Sequence, residues 1–257
     1  MKFYVLVVLC VVQGLTEFLP VSSSGHLMLV EQLFGITDNI LLINLFLHLS
    51  TLCAVIYVYR DVIFSILKKP FQPLTWKILI TTLITLVFAC VYEILDLNNS
   101  IGKFYGYFFL VTALILFLTY LFQKKSSTIK VGDVSYKNSI IVGLVQGCAV
   151  LPGISRSGST ISALVLMGNS ESKASEYSFL MSIPIIIGGF LFEVIKVENW
   201  NSVFLSVSWW YIIFAFVLTF LVSLLSLKLT IKLLKKNKFI YFSIYLFVLG
   251  LSVIFLI

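Results

Sequence analysis

LVQGCAVLPGISRSGST, residues 144–160, breaks a chain that is otherwise greasy. Its last ten residues, 151–160, pack two glycines, a proline, four hydroxyl side chains and one arginine, Arg156, between long apolar runs. Apolar arms around a polar centre containing Gly and Pro are each too short to cross a bilayer, which takes about 20 apolar residues. Such a pattern predicts a helix–loop–helix that enters the membrane and returns, because irregular backbone at that depth must be buried in protein or line a cavity.

The stretch has a counterpart. VVQGLTEFLPVSSSGH occupies residues 11–26, and at an offset of 133 Gln13-Gly14 matches Gln146-Gly147 and Ser24-Gly25 matches Ser157-Gly158. Six other segments are long and apolar enough to span: roughly 41–59, 76–95, 104–122, 178–195, 208–227 and 239–257. Adding 133 to the first three gives 174–192, 209–228 and 237–255, so each lands on one of the last three. Three spans per half is odd, and a re-entrant pair over 3–35 or 139–168 adds no net crossing. The halves, approximately 1–125 and 133–257, are therefore expected to be inverted relative to each other. Inverted repeats of this kind set a shared site near the bilayer interior, built from interrupted helices. The fold class expected is an all-α polytopic membrane protein, one integral membrane domain over 1–257, with six spanning helices and two re-entrant helix-loop-helix pairs in an inverted-topology repeat.

Composition agrees. The chain is 60% hydrophobic and 11% charged, with a mean hydropathy of +1.08, whereas soluble domains run nearer ~25% charged. The net charge of +7 is no nucleic-acid footprint, because the lysines cluster between apolar segments. Loops 60–77, 123–137 and 228–238 carry them and are expected on the cytoplasmic side; loops 93–103 and 193–207 are not basic overall and are expected outside. The N-terminus then also lies outside. No A-x-A-like cleavage site follows the first apolar run, so a signal peptide is not expected. Cys10, Cys53, Cys90 and Cys148 have neither metal-ligand nor disulfide spacing and are expected to be small buried residues.

An arginine in a membrane segment is a functional residue by default. With Ser155, Ser157 and Thr160 around it in a glycine-containing turn at a helix start, Arg156 forms an anion site suited to phosphate. The competing reading is an internal salt bridge to a carboxylate such as Glu17, and the two roles can coexist. Glu17 lies four residues after Gln13, on one helical face, and a carboxylate there needs a proton, an arginine or a metal. Gln13 and Glu17 could hold a hydrated divalent cation, although two side chains are a thin metal site. His26, two residues beyond Ser24, suggests a serine nucleophile with a histidine base. His48, the other histidine, sits within a spanning segment with its role open between packing and support of the site.

QGLTEFLPVSSSGH and LPGISRSGST resemble the two signatures of the undecaprenyl-diphosphate phosphatase family, the UppP or BacA bacitracin-resistance proteins; YSFLMSIPIIIGG after the second loop resembles that family too. The resemblance spans the whole chain. It implies an inner-membrane enzyme of bacteria that removes the terminal phosphate of undecaprenyl diphosphate, with a periplasm-facing site that depends on Mg²⁺ or Ca²⁺. It places the E/Q-x-x-x-E motif on Gln13 and Glu17 and the serine–histidine stretch on Ser22, Ser23 and His26. Its P-G-x-S-R-S-x-x-T motif falls on Pro152, Gly153, Ser155, Arg156, Ser157 and Thr160. Many members carry glutamate where this chain has Gln13, so this site has one anionic ligand fewer. The expected catalytic set is Glu17, Ser23, His26 and Arg156, with Ser22, Ser155, Arg156, Ser157 and Thr160 binding substrate and Gln13 and Glu17 the metal. The attacking group stays open between Ser23 assisted by His26, His26 itself, and water. The partner expected is the lipid diphosphate, with no nucleic acid; a homodimer is entertained, although no dimer face is legible. The alternative class is a polyprenyl-phosphate transporter or flippase. Type-2 phosphatidic acid phosphatases also have S-G-H and S-R elements, but they need a second histidine after the arginine, and none follows Arg156.

Overall fold

A computed structural model describes residues 2–36, 41–97, 104–125, 133–197 and 208–256. Every regular element among them is a helix. Six are long and apolar enough to cross a membrane: α3 (Leu41–Val58), α5 (Pro73–Ile94), α6 (Tyr105–Lys125), α9 (Glu171–Lys196), α10 (Trp209–Lys235) and α11 (Phe239–Leu256). The chain is therefore a multi-pass membrane protein. The two signature regions form short helix pairs, α1 (Phe3–Thr16) with α2 (Ser23–Leu33) and α7 (Tyr136–Cys148) with α8 (Arg156–Leu166). The longest of these, α1, has 14 residues, or about 21 Å, short of a hydrocarbon core of about 30 Å.

Three boundaries differ from the sequence-based expectation. A further helix, α4 (Arg60–Lys68), occupies the expected loop 60–77; it is amphipathic and buries no residue, so a search for apolar spans passes over it. α9 starts at Glu171 rather than 178, because Ser170 caps it by accepting from the Lys173 amide and Glu171 sits in its first turn; polar helix formers extend the helix beyond its apolar part. α10 runs on through Lys228 and Lys232 to Lys235, since lysine does not break a helix. It stops before Asn237, which holds a positive φ of 53°. Residues 98–103, 126–132 and 198–207 of the loops used to orient the chain lie outside the described residues. Of the cysteines expected to be buried, Cys10 is, whereas Cys90 and Cys148 are exposed, because an apolar residue of a membrane helix is stable facing lipid as well as protein.

The helix pairing repeats across the two halves. α1 packs along α10, and α7 packs along α5. In the first crossing Thr219 Oγ1 donates to the Cys10 carbonyl at 3.4 Å; in the second Thr85 Oγ1 donates to the Gly143 carbonyl at 3.4 Å. Cys10 and Gly143 are 133 positions apart. The same holds one turn on. A side chain at Gly14 would stand 2.9 Å from Val222, and one at Gly147 would fall inside the Phe88 ring. α6 and α11 pack on each other through Gly106 and Gly250, where a Cβ on Gly250 would lie 2.9 Å from the Gly106 carbonyl. Small residues let helices approach where lipid gives no hydrophobic drive for association. Hydroxyls cross between helices as well: Ser50 to the Phe216 carbonyl and Ser226 to the Leu15 carbonyl, both at 2.7 Å, and Ser243 to the Ala113 carbonyl at 2.8 Å.

This packing predicts a specific weakness. Gly147→Val drives a side chain into Phe88 and should lower stability by about 1–3 kcal/mol, the usual range for overpacking. Gly14→Val should do the same against Val222. Thermal melts in detergent check both, and an unchanged midpoint for either would refute the close crossing.

Candidate active site

The two signatures meet because each carries the same local device. Ser22 caps α2 by accepting from the Gly25 amide, and Ser155 caps α8 by accepting from the Gly158 amide at 3.0 Å. These serines are 133 residues apart, as are the two glycines. The contact between the loops is reciprocal. A Cβ on Gly25 would sit 3.1 Å from the Gly153 Cα, and one on Gly158 would sit 3.1 Å from the Pro20 Cβ; Pro20 and Gly153 are again a repeat pair. The contacts thus pair equivalent positions of the two signatures. Gly153 needs to be glycine: its φ is +93°, and a Cβ there would strike the Tyr105 carbonyl.

The device brings two helix N-termini together, with Ser23 opening α2 and Arg156 opening α8. Both reach the same carboxylate. Glu17 Oε1 accepts from Arg156 Nη2, and Glu17 Oε2 accepts from Ser23 Oγ at 2.7 Å and from Gln13 Nε2 at 3.1 Å. Glu17 is buried, with 7% of its surface exposed. A buried carboxylate requires a cation and further donors, and here the cation comes from the other half of the chain. The ion pair that sequence reasoning set against an anion site is thus present, and it does not exhaust the arginine. Arg156 Nη1 is buried and has no hydrogen-bond partner, so the guanidinium keeps a donor for something that is not protein.

Of the residues singled out from the sequence, Gln13, Glu17, Ser22, Ser23, Ser155, Arg156 and Ser157 gather here. Ser155 and Ser157 are 3.3 Å apart, and Ser157 Oγ donates to the Leu19 carbonyl at 3.2 Å. Two do not join them. Thr160 is fully buried, donating to the Arg156 carbonyl at 2.7 Å and sharing a 2.7 Å hydrogen bond with Ser178; it braces α8 against α9. His26 is engaged at both ring nitrogens, Nδ1 with the Ser22 carbonyl and Nε2 with the Tyr245 hydroxyl, each at 2.7 Å. Its ring stacks on Tyr245 and meets Phe109 edge-on. The expected Ser23–His26 pair is not formed: at four residues after Ser22, His26 folds back on the cap and holds the strained Ser22 backbone (φ 68°) instead.

His48 takes the open place. Its Nδ1 lies 2.9 Å from Gln13 Nε2 and 3.8 Å from Glu17 Oε2, and 38% of its side chain is exposed. The available signal was that an ionisable side chain inside a spanning helix marks a site by default; its register against α1 was not legible.

These groups lie at the base of a cleft of about 740 Å³. Its walls are apolar stripes of α5 (Leu86, Ala89, Cys90) and α9 (Ile185, Ile186, Phe192), and it reaches Glu93 and Glu193 near the ends of those helices. Glu93 pairs there with Lys196. An oxygen-rich, donor-lined base under a greasy slot is suited to a ligand with an anionic head and a hydrocarbon tail.

For a cation, Gln13 Oε1 is a buried acceptor without a partner, on the side chain whose amide nitrogen faces Glu17. No cluster of three His, Cys, Asp or Glu side chains is present among the described residues. One carboxylate and one amide oxygen are few protein ligands, a number compatible with a hydrated cation that keeps several waters.

Removing one partner of the Glu17–Arg156 pair should cost more than removing both. Arg156→Ala is expected to destabilise the protein by about 3–5 kcal/mol, the range for an orphaned buried charge. Glu17→Gln added to it should restore part of that. A double-mutant cycle of melting measurements tests this, and simple additivity would contradict the pairing.

Comparison with known proteins shows the family. The family model described as "Bacitracin resistance protein BacA" matches residues 6–252. A protein of Carboxydothermus hydrogenoformans named undecaprenyl-diphosphatase is 36% identical, covering 99% of this chain and 97% of the relative. Proteins of the same name from Christiangramia forsetii and Thermosipho africanus are 39% and 38% identical, covering 99% and 97% of this chain and 98% of each relative. With the match running through both signature loops and all six long helices, the chain belongs to the bacitracin resistance protein BacA family.

Proposed function

We propose that this protein is an undecaprenyl-diphosphate phosphatase, releasing inorganic phosphate from undecaprenyl diphosphate and returning the monophosphate lipid for cell-wall synthesis. One observation carries the reading: Arg156 keeps a buried, unpartnered amino group beside Glu17 and Ser23 at the base of an apolar cleft. The diphosphate fills that base while the prenyl chain leaves between α5 and α9 into lipid.

The chemistry follows from who donates to whom. Ser23 Oγ donates its proton to Glu17 Oε2, which leaves its lone pairs free. Ser23 Oγ attacks the terminal phosphorus and its proton passes to Glu17. The bond from that phosphorus to the bridging oxygen breaks, and undecaprenyl phosphate leaves. Water then cleaves the phosphoserine, with Glu17 returning the proton to Ser23. Arg156 and the free amides of the α2 and α8 N-termini offset the charge carried by the phosphoryl oxygens. Glu17 thus takes the role expected of His26, and His26 positions the loop that presents Ser23. Gln13 and Glu17 would hold a divalent cation here, which would add to the neutralisation of phosphate charge. The cleft is lined by the C-terminal halves of α5 and α9, as far as Ile94 and Glu193, at the ends of those helices away from the basic 60–77 segment, which supports a site facing the outside of the bacterial plasma membrane.

Purified protein in detergent with Mg²⁺ should release phosphate from undecaprenyl diphosphate, and a chelator should stop it. Ser23→Ala and Arg156→Ala should each lose about 10²–10³-fold, the scale of a missing transition-state partner. His48→Ala should retain more activity than either. Tight binding of the lipid without phosphate release by well-folded protein would sink the reading and favour a lipid carrier.

A further inference from the structure

Glycine weakens a helix interior, because it forfeits backbone entropy and side-chain packing. A helical glycine therefore calls for a reason, and in this protein the reason is usually visible. Every other described helical glycine, from Gly14 to Gly250, has a neighbour within 3.1 Å of where a Cβ would stand. Gly188 and Gly189 are the exception. They lie consecutively inside α9, with nothing within 4 Å of a Cβ at either position. No protein atom needs their smallness. Both line the cleft, between Ile185–Ile186 on one side and Phe192 on the other, opposite the α5 wall.

The geometry points to Gly188 and Gly189 as the seat of the substrate's head-proximal isoprene units, and so as residues that decide which lipid diphosphates enter. This rests on the phosphatase reading for its substrate class. A polyprenyl chain carries a methyl branch on every unit and is broader than a straight acyl chain. Two adjacent missing side chains widen the slot at the stretch of wall that follows the polar base. Here the open space takes the tail, as close approach of a helix takes the glycines elsewhere in the fold. Larger residues at 188 and 189 would fit the protein and exclude the ligand.

Cys90 provides a readout independent of turnover. It is exposed and lines the same cleft from α5, whereas Cys148 is exposed on α7 outside it. The experiment compares wild type with Gly189→Leu and Gly189→Ala in detergent with Mg²⁺. It measures kcat and KM for undecaprenyl diphosphate, the melting temperature, and maleimide labelling of each cysteine by peptide mapping. Gly189→Leu should raise KM by about 10-fold or more, the scale of a steric change in an apolar pocket, with kcat within about two-fold and no loss of thermal stability. Gly189→Ala should fall between. Added undecaprenyl diphosphate should slow Cys90 labelling in wild type and not in Gly189→Leu, with Cys148 labelling unchanged in both. An unchanged KM, a fall in kcat alone, or Cys90 labelling indifferent to the lipid in wild type would overturn the assignment. Absence of phosphate release by wild type would instead overturn the phosphatase reading, while protection of Cys90 abolished by Gly189→Leu would still place the tail at the glycines.

Discussion

The buried pairing of Glu17 with Arg156 joins the two halves of the chain, and the rest of the site is arranged around it. Neither charge is stable alone in a protein surrounded by lipid, where desolvation costs several kcal/mol per ion. Each is supplied by a different half, so the site exists only when the halves are docked. The carboxylate has three protein donors, Arg156, Ser23 and Gln13, whereas the guanidinium keeps one amino group without a protein partner. That imbalance distinguishes a structural salt bridge from one prepared for an anionic ligand.

The constellation arises from one local rule used at both signatures. A serine three residues before a glycine caps a short helix in both halves, and the two caps face each other across Gly25, Gly153, Gly158 and Pro20. The position after the capping serine then differs: Ser23 in one half, Arg156 in the other. Both reach Glu17, one as a hydroxyl and the other as a cation.

The polar base and the apolar walls do different work. The base is rigid: its backbone is pinned by side-chain caps, by Thr112 accepting from the Ser155 amide, and by His26 on Ser22. The walls are open, belonging to α5 and α9, whose cleft-facing stripes leave room for hydrocarbon. A head group is thereby held by fixed dipoles while a tail is accommodated by space, which suits an amphiphile drawn from a bilayer.

Much of this was legible without coordinates. Hydropathy located all six long helices, because a helix crossing lipid must satisfy its own backbone and show an apolar exterior. The 133-residue offset linked the two signatures, and intramembrane charge singled out Glu17 and Arg156, because such charge is too costly to be incidental. Helix ends that are polar but still helical, such as the start of α9, and the amphipathic α4 were not legible, since neither depends on apolar length. Side-chain direction was out of reach as well. Spacing along the chain put His26 beside the serines, yet one helical turn aims it at Ser22 and Tyr245, while His48, distant in sequence, arrives through the packing of α3 against α1. The sequence determined which elements exist and which residues carry chemistry, because those follow from solvation and local periodicity. Only the tertiary structure decided which of them meet, and that two unpacked glycines face the cleft, because both depend on how helices far apart in the chain rotate and dock.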